Sequence, residues 1–142
     1  MSTSFEDLRI LKTAEEVADA VWRRVVQWED FPKDVVGKQI AKATDSIGAN
    51  IAEAWGKRRF ENHFISKLTD ADMEQYETQH WLDTALDCGY CEVETVDRLR
   101  RACEGIGRLL GGMIAKAHSF CGNFPKTLRE SAPEYFGENS DY

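Results

Sequence analysis

Apolar residues recur at three- and four-residue steps along most of the chain, the spacing that gathers side chains on one face of an α-helix. From Ser4 to Trp28 the series is Phe5, Leu8, Leu11, Val17, Val21, Val25 and Trp28, with Ser4 placed to cap and Asp7 three positions on. Pro32 then interrupts, because it lacks an amide hydrogen and disfavours helix at Phe31, although it suits the start of a new helix. The pattern predicts a second helix from Pro32 or Lys33 to Lys57. Ile40, Ala43, Ile47, Ile51 and Ala54 form one stripe of it, and Gly37, Ala41, Thr44, Gly48 and Ala52 a neighbouring stripe of small residues. A helical glycine costs about 1 kcal/mol relative to alanine, so Gly48 is expected where a side chain would collide with another helix.

A third helix is predicted over Glu61 to Asp87, with Phe64, Ile65, Leu68, Ala71, Tyr76, Trp81, Leu82, Ala85 and Leu86 as core. Cys88-Gly89-Tyr90 ends it, with Gly89 free to adopt a left-handed conformation. The fourth helix runs from Glu92 to Ser119 on Val96, Leu99, Ala102, Cys103, Ile106, Leu109, Leu110, Met113, Ile114 and Ala117. Its glycines, Gly105, Gly107, Gly111 and Gly112, again ask for close neighbours. Four helices of about 25 residues, each about 37 Å long, with short connections, predict an all-α fold, an antiparallel up-down four-helix bundle over residues 1–120. Residues 121–142 hold two prolines and two glycines without sustained periodicity, which predicts an extended, flexible C-terminal tail. Its Phe124, Leu128, Tyr135 and Phe136 are candidates for docking on a partner.

Composition agrees with a single water-soluble, helix-rich domain: 142 residues, 42% hydrophobic, 30% charged and three prolines. The net charge of -7 argues against indiscriminate attraction to nucleic acid or anionic membrane, so any such binding must come from a local patch. No apolar run reaches the roughly 18 to 20 residues that span a bilayer, and the start lacks a basic segment followed by an apolar core. The expectation is a cytoplasmic protein in which Cys88, Cys91, Cys103 and Cys121 are reduced thiols.

Five segments together resemble a known family: SIGANIAEA (46–54), HFISKLTDA (63–71), ETQHWLD (77–83), CGY (88–90) and GIGRLLGGMIAKA (105–117). It is the family of four-helix-bundle proteins encoded by intervening sequences inside bacterial 23S rRNA genes. The accessory variability proteins of diversity-generating retroelements are similar, most of all to the last segment. The resemblance spans roughly residues 5 to 120 and implies a homopentameric ring of four-helix bundles with no established catalytic activity. It places Ser46, Asn50, Ile51, Ala52 and Glu53 in a signature of the second helix. Phe64, Lys67, Leu68, Glu77, Thr78, Trp81 and Leu82 fall in a signature of the third. The chain reads Ala52-Glu53-Ala54 where the family often has Ala-Glu-Gly, and it is acidic where the retroelement accessory proteins are basic.

A buried Asn or Glu without partners costs about 1 to 3 kcal/mol, so Asn50 and Glu53 are expected to pair with Lys67, Thr78 or backbone at a helix contact. The residues that suggest chemistry mostly lack its context. CGYC, residues 88 to 91, has redox-dithiol spacing, but its first cysteine closes a helix instead of opening one. Adding Cys103 and His118 gives no close second pair of zinc ligands. ETQH, residues 77 to 80, is a Glu-x-x-His step of the kind di-iron bundles use, and a second step on another helix is missing. There is no phosphate-binding glycine loop and no nucleophile motif among the three histidines. The expectation is a noncatalytic protein without cofactor, metal or small-molecule substrate.

Charge is segregated. The third helix carries Glu61, Asp70, Asp72, Glu74, Glu77, Asp83 and Asp87 against Lys67 alone. Cations collect in Lys57, Arg58 and Arg59 after the second helix and in Arg98, Arg100, Arg101, Arg108 and Lys116 along the fourth. The first three suit a helix C-terminus, where the dipole favours positive charge. All eight are candidate nucleic-acid contacts, because a ring would repeat the patch around its axis. Trp22, Trp55 and Trp81 are candidates for close packing. The sequence reading is therefore a ring-forming scaffold or adaptor for structured RNA or for an RNA-handling enzyme such as a reverse transcriptase. The competing reading is a purely protein–protein assembly module.

Overall fold

The structure is a computed structural model that describes residues 8–122. The expectations for Ser4, Phe5 and Asp7, and for Phe124, Leu128, Tyr135 and Phe136 in the tail, lie outside the described residues. Four long helices run alternately up and down: α1 (Arg9–Val25), α2 (residues 30–56), α3 (Glu61–Asp87) and α4 (Val93–Ala115), followed by a single short helix α5 (Ala117–Cys121). Neighbours in sequence pack side by side, and α1 closes the bundle against α4. The fold is all-α, and no strand occurs among the described residues.

The apolar stripes explain this arrangement. Ile10, Ala14, Val17, Val21 and Val25 of α1 are buried, as is the whole predicted stripe Ile40, Ala43, Ile47, Ile51 and Ala54 of α2. They meet Phe64, Leu68, Ala71, Leu82 and Ala85 of α3 and Val96, Leu99, Cys103, Ile106 and Leu110 of α4 in one core. Burial of this kind, rather than helix propensity, holds such helices together.

Helix α2 begins at Asp30, two residues before Pro32, the earlier of the two starts predicted. Pro32 is tolerated because the first amides of a helix have no intrahelical acceptor to lose. A π-helical turn follows at Lys33–Gly37, with Val36 and Gly37 buried. A β-carbon on Gly37 would lie 2.7 Å from Cγ1 of Val25, so this glycine is where α1 and α2 need close approach. Gly48 does not have that role: its β-carbon would meet only Leu11, at an ordinary 3.8 Å. Gly37→Ala is expected to destabilise the fold by about 1–3 kcal/mol through overpacking. Gly48→Ala is expected to stabilise it by about 0.5–1 kcal/mol through helix propensity. Urea melts of the two variants check both signs.

Helix α3 has the predicted bounds. It ends in a Schellman motif: the Tyr90 amide donates to the Ala85 carbonyl at 2.9 Å and the Gly89 amide to that of Leu86 at 3.0 Å, with Gly89 at φ 80°. Its core departs from the expectation at polar positions, with Thr78 buried as well as Gln75. Tyr76 is 59% exposed, and Gln75 is buried in its place. The Gln75 amide group donates to Oδ1 of Asp72 at 3.0 Å and its carbonyl oxygen accepts from Nε2 of Gln79 at 2.7 Å, so the buried polar group is satisfied. Gly107 of α4 faces this chain, where a β-carbon would lie 3.1 Å from Nε2 of Gln75. Gly111 and Gly112, by contrast, have open space beside them rather than the close neighbours expected.

The fourth helix stops at Ala115, and Lys116 (φ -109°, ψ 23°) breaks it before α5. The break turns Phe120 inward against Trp55 (ring centroids 6.2 Å apart) and Phe64 (5.8 Å), sealing this end of the core. Trp81 is half-buried beside the core, but Trp22 is 62% exposed, at the rim of a groove between α1 and α2.

Candidate nucleic-acid interface

The signature residues lie mainly where α2 meets α3, and their roles are structural. Nδ2 of Asn50 donates to the Ser46 carbonyl at 2.9 Å, and Nζ of Lys67 sits 2.9 Å from Oε2 of Glu53. Neither Asn50 nor Glu53 is buried; Glu53 is exposed and reaches over to a Lys67 side chain that is only 15% exposed. The hydrogen bond that the Lys67 ammonium donates to the Glu53 carboxylate raises its pKa above the usual lysine value. Ile51, Phe64, Leu68 and Leu82 are buried, Thr78 donates to the Glu74 carbonyl at 2.9 Å, and Ala52 is exposed. Glu77 accepts from the Trp81 indole at 3.4 Å, and His80 is exposed with its ring edge-on to Trp81, so the Glu-x-x-His step faces away from the bundle interior.

Glu74 is a carboxylate under strain from its surroundings. Burial first, and then the charge of Glu77, raise its pKa above 4.5, against an opposing pull from Lys42. A raised carboxylate pKa means that the folded state holds the proton more tightly, so stability falls as pH rises from 4.5 through the folded value. Glu74→Gln is therefore expected to melt above wild type at pH 7 and to converge with it below pH 4.5, as thermal melts at the two pH values would show.

Two of the thiols, Cys91 and Cys103, are held in the neutral form by burial. Burial pushes Cys103 up to about 12 and raises Cys91, while Cys88 is exposed at the helix end. Among the described residues, no group of three or more His, Cys, Asp or Glu side chains could hold a metal ion. No helix of the described residues is long and apolar enough to cross a membrane.

The candidate cations separate into three groups. Lys57, Arg58 and Arg59 lie at the C-terminal end of α2. Arg58 donates Nε–H to the Trp55 carbonyl at 3.0 Å and lays its guanidinium 3.9 Å above the Trp55 ring, as a capping residue does. Lys57 lowers the pKa of His63 beside it, after burial has done so. Arg100 is spent on Asp83, its ion-pair partner on α3. Arg98, Arg101, Arg108 and Lys116 remain.

At 3.6 residues per turn, positions 98, 101, 105, 108 and 112 share one outward stripe of α4, and Lys116 continues it. Arg98, Arg101, Arg108 and Lys116 are exposed, and none has an ion-pair partner among the described residues. Gly105 and Gly112 leave the backbone between the cations uncovered, apart from the Arg108 guanidinium that lies over Gly105. Glu94, Asp97 and Glu104 lie about one turn from Arg98, Arg101 and Arg108 along the same side of the helix without forming an ion pair with them, so carboxylates flank the cationic stripe, and Asp97 and Glu104 also support the charge of Arg100.

The structure adds two arginines that the sequence reading did not select. Arg23 and Arg24, at the end of α1, line a groove of about 350 Å³ together with Arg98, because the up-down topology sets the end of α1 beside the start of α4. Arg24 is oriented by hydrogen bonds to the Ala20 carbonyl (3.2 Å) and to Oγ1 of Thr95 (3.4 Å). Their position in the last turn of a helix was legible; their neighbour across 71 residues was not.

No curated protein matches the chain. Among solved structures it is similar to a crystal structure of a protein of unknown function from the S23 ribosomal protein family of Bacteroides thetaiotaomicron. The two are 29% identical with a TM-score of 0.66, over 74% of this chain and 97% of that one. The family model for the 23S rRNA-intervening sequence protein matches residues 6–112, from the first helix through most of the fourth. By that match the chain belongs to the 23S rRNA-intervening sequence protein family.

Proposed function

We propose that this protein is a noncatalytic adaptor that assembles as a ring, a homopentamer by family resemblance, and binds structured RNA through the outer face of α4. The observation that carries this reading is the stripe of exposed, unpaired cations Arg98, Arg101, Arg108 and Lys116, continued onto α1 by Arg23. A row of cations spaced along a helix matches the repeated charge of a phosphate backbone, and phosphate contacts supply most sequence-independent affinity. Assembly is supported by the large apolar side chains exposed around one end of the bundle, Trp22, Val26, Phe31 and Val35. A ring would bury such a patch and multiply the basic stripe around its axis.

The test is binding of a fluorescent RNA hairpin over a salt series. The reading predicts tight binding at low salt that weakens steeply as salt rises. Absence of binding at the lowest salt refutes it and leaves the protein–protein module.

A further inference from the structure

The groove between α1 and α4 has more structure than a phosphate backbone needs. Its cationic end is made by Arg23, Arg24 and Arg98. At the other end, about two turns down α1, stand Glu16 and Thr13, and the floor between is Val17, Ala20, Leu99 and Ala102. Seven residues of helix separate Glu16 from Arg23, about 10 Å at 1.5 Å per residue. Glu16 has no hydrogen-bond or ion-pair partner among the described residues, although it shares the groove with arginines. A polyanion alone would gain nothing from a carboxylate there and would be repelled by it.

We infer that this groove seats one nucleotide unit of a bound strand, with its phosphate at Arg23 and Arg98 and an amine-bearing base edge at Glu16. This inference rests on the proposed RNA binding and adds to it the place where a base is read. The distance fits, since phosphate and base edge of a nucleotide are about 10 Å apart, and a pocket of this size lies within the usual range for small ligands. Small side chains at Ala20 and Ala102 leave room for a base against the apolar floor. The carboxylate accepts from N–H donors, which guanine presents in pairs on its Watson–Crick edge, whereas uracil flanks its single N–H with two carbonyl oxygens that a carboxylate repels. The groove therefore selects for guanine over uracil.

The experiment is an NMR titration of the full chain with guanosine and uridine 5′-monophosphates, which reads affinities down to the millimolar range. The expected result is shifts centred on the amides of Ala20, Leu99 and Ala102, with the guanosine nucleotide binding about tenfold tighter, a typical value for one base-edge contact. Arg98→Ala should weaken both nucleotides, and Glu16→Gln should bring them within about twofold of each other. Equal affinities in wild type, shifts centred elsewhere or no shifts at all overturn the inference. If these occur while hairpin RNA still binds with a steep salt dependence, only the groove assignment fails. If the hairpin does not bind at low salt, the RNA reading fails on its own measurement.

Discussion

Phe64→Ala is expected to cost about 3–5 kcal/mol, the range for removing a fully buried aromatic ring from a core that cannot collapse around the space. Phe64 has no solvent exposure, and its ring packs against Phe120, which itself meets Trp55. The loss therefore reaches three elements at once: α3, the short helix α5 and the end of α2. Domains of this size have total stabilities of about 5–15 kcal/mol, so the variant should melt about 10–20 °C below wild type. Phe120→Ala, whose ring is only half-buried, should cost less. A differential scan of the three proteins decides whether α5 is part of the cooperative unit. Equal melting temperatures for wild type and Phe120→Ala would show that the seal seen in the structure contributes no stability.

The second large effect concerns binding. Replacing Arg98, Arg101 and Arg108 by alanine should weaken hairpin RNA by about 100-fold at low salt and reduce the slope of log affinity against log salt by about two to three units, close to one per lost phosphate contact. Arg100→Ala should leave the slope unchanged, because Arg100 already faces Asp83. The triple alanine variant at Lys57, Arg58 and Arg59 should lose less than the stripe variant. Arg58 there is held over Trp55 by stacking and by a backbone hydrogen bond, and freeing it to meet a phosphate would break both. These three variants differ by similar amounts in net charge or less, so unequal slopes separate a located interface from a general change in field. All of the substituted arginines on the stripe are exposed, and exposed positions of this kind alter stability little.

How much of this was legible in the sequence depends on whether the deciding neighbour was local. The stripe of α2, the bounds of α3 and the left-handed Gly89 were legible because periodicity and a terminal glycine act within a few residues. The ion pair of Glu53 with Lys67 was one of the pairings expected for that glutamate. Failures arose where a partner helix decided the outcome. Gly37, not Gly48, is the glycine that a second helix crowds, because the π-helical turn presses it toward Val25. Gln75 rather than Tyr76 points inward because Asp72 and Gln79 on its own helix satisfy its amide, a solution that hydrophobicity alone cannot rank. The basic stripe was half visible: the cations of α4 could be counted, but Arg100 had to be removed from the set and Arg23 and Arg24 added once the topology paired α1 with α4.

The acidic total charge and the basic stripe are compatible for the same reason. Seven carboxylates lie on α3, and the outward face of α4 points away from them, with Arg100 and Asp83 marking the boundary. Local field rather than net charge governs an anion that approaches within a Debye length, about 10 Å at moderate salt. On the proposed reading, the separation would also orient a bound strand, since the acidic face repels what the basic face attracts.

The measurement that tests the central claim most directly is native mass spectrometry of the full chain at low salt, with and without an added RNA hairpin. It reports subunit number and bound RNA together. The account predicts a single closed oligomer, a pentamer, that gains the mass of the hairpin. A monomer that leaves the hairpin unbound contradicts both the ring and the basic interface.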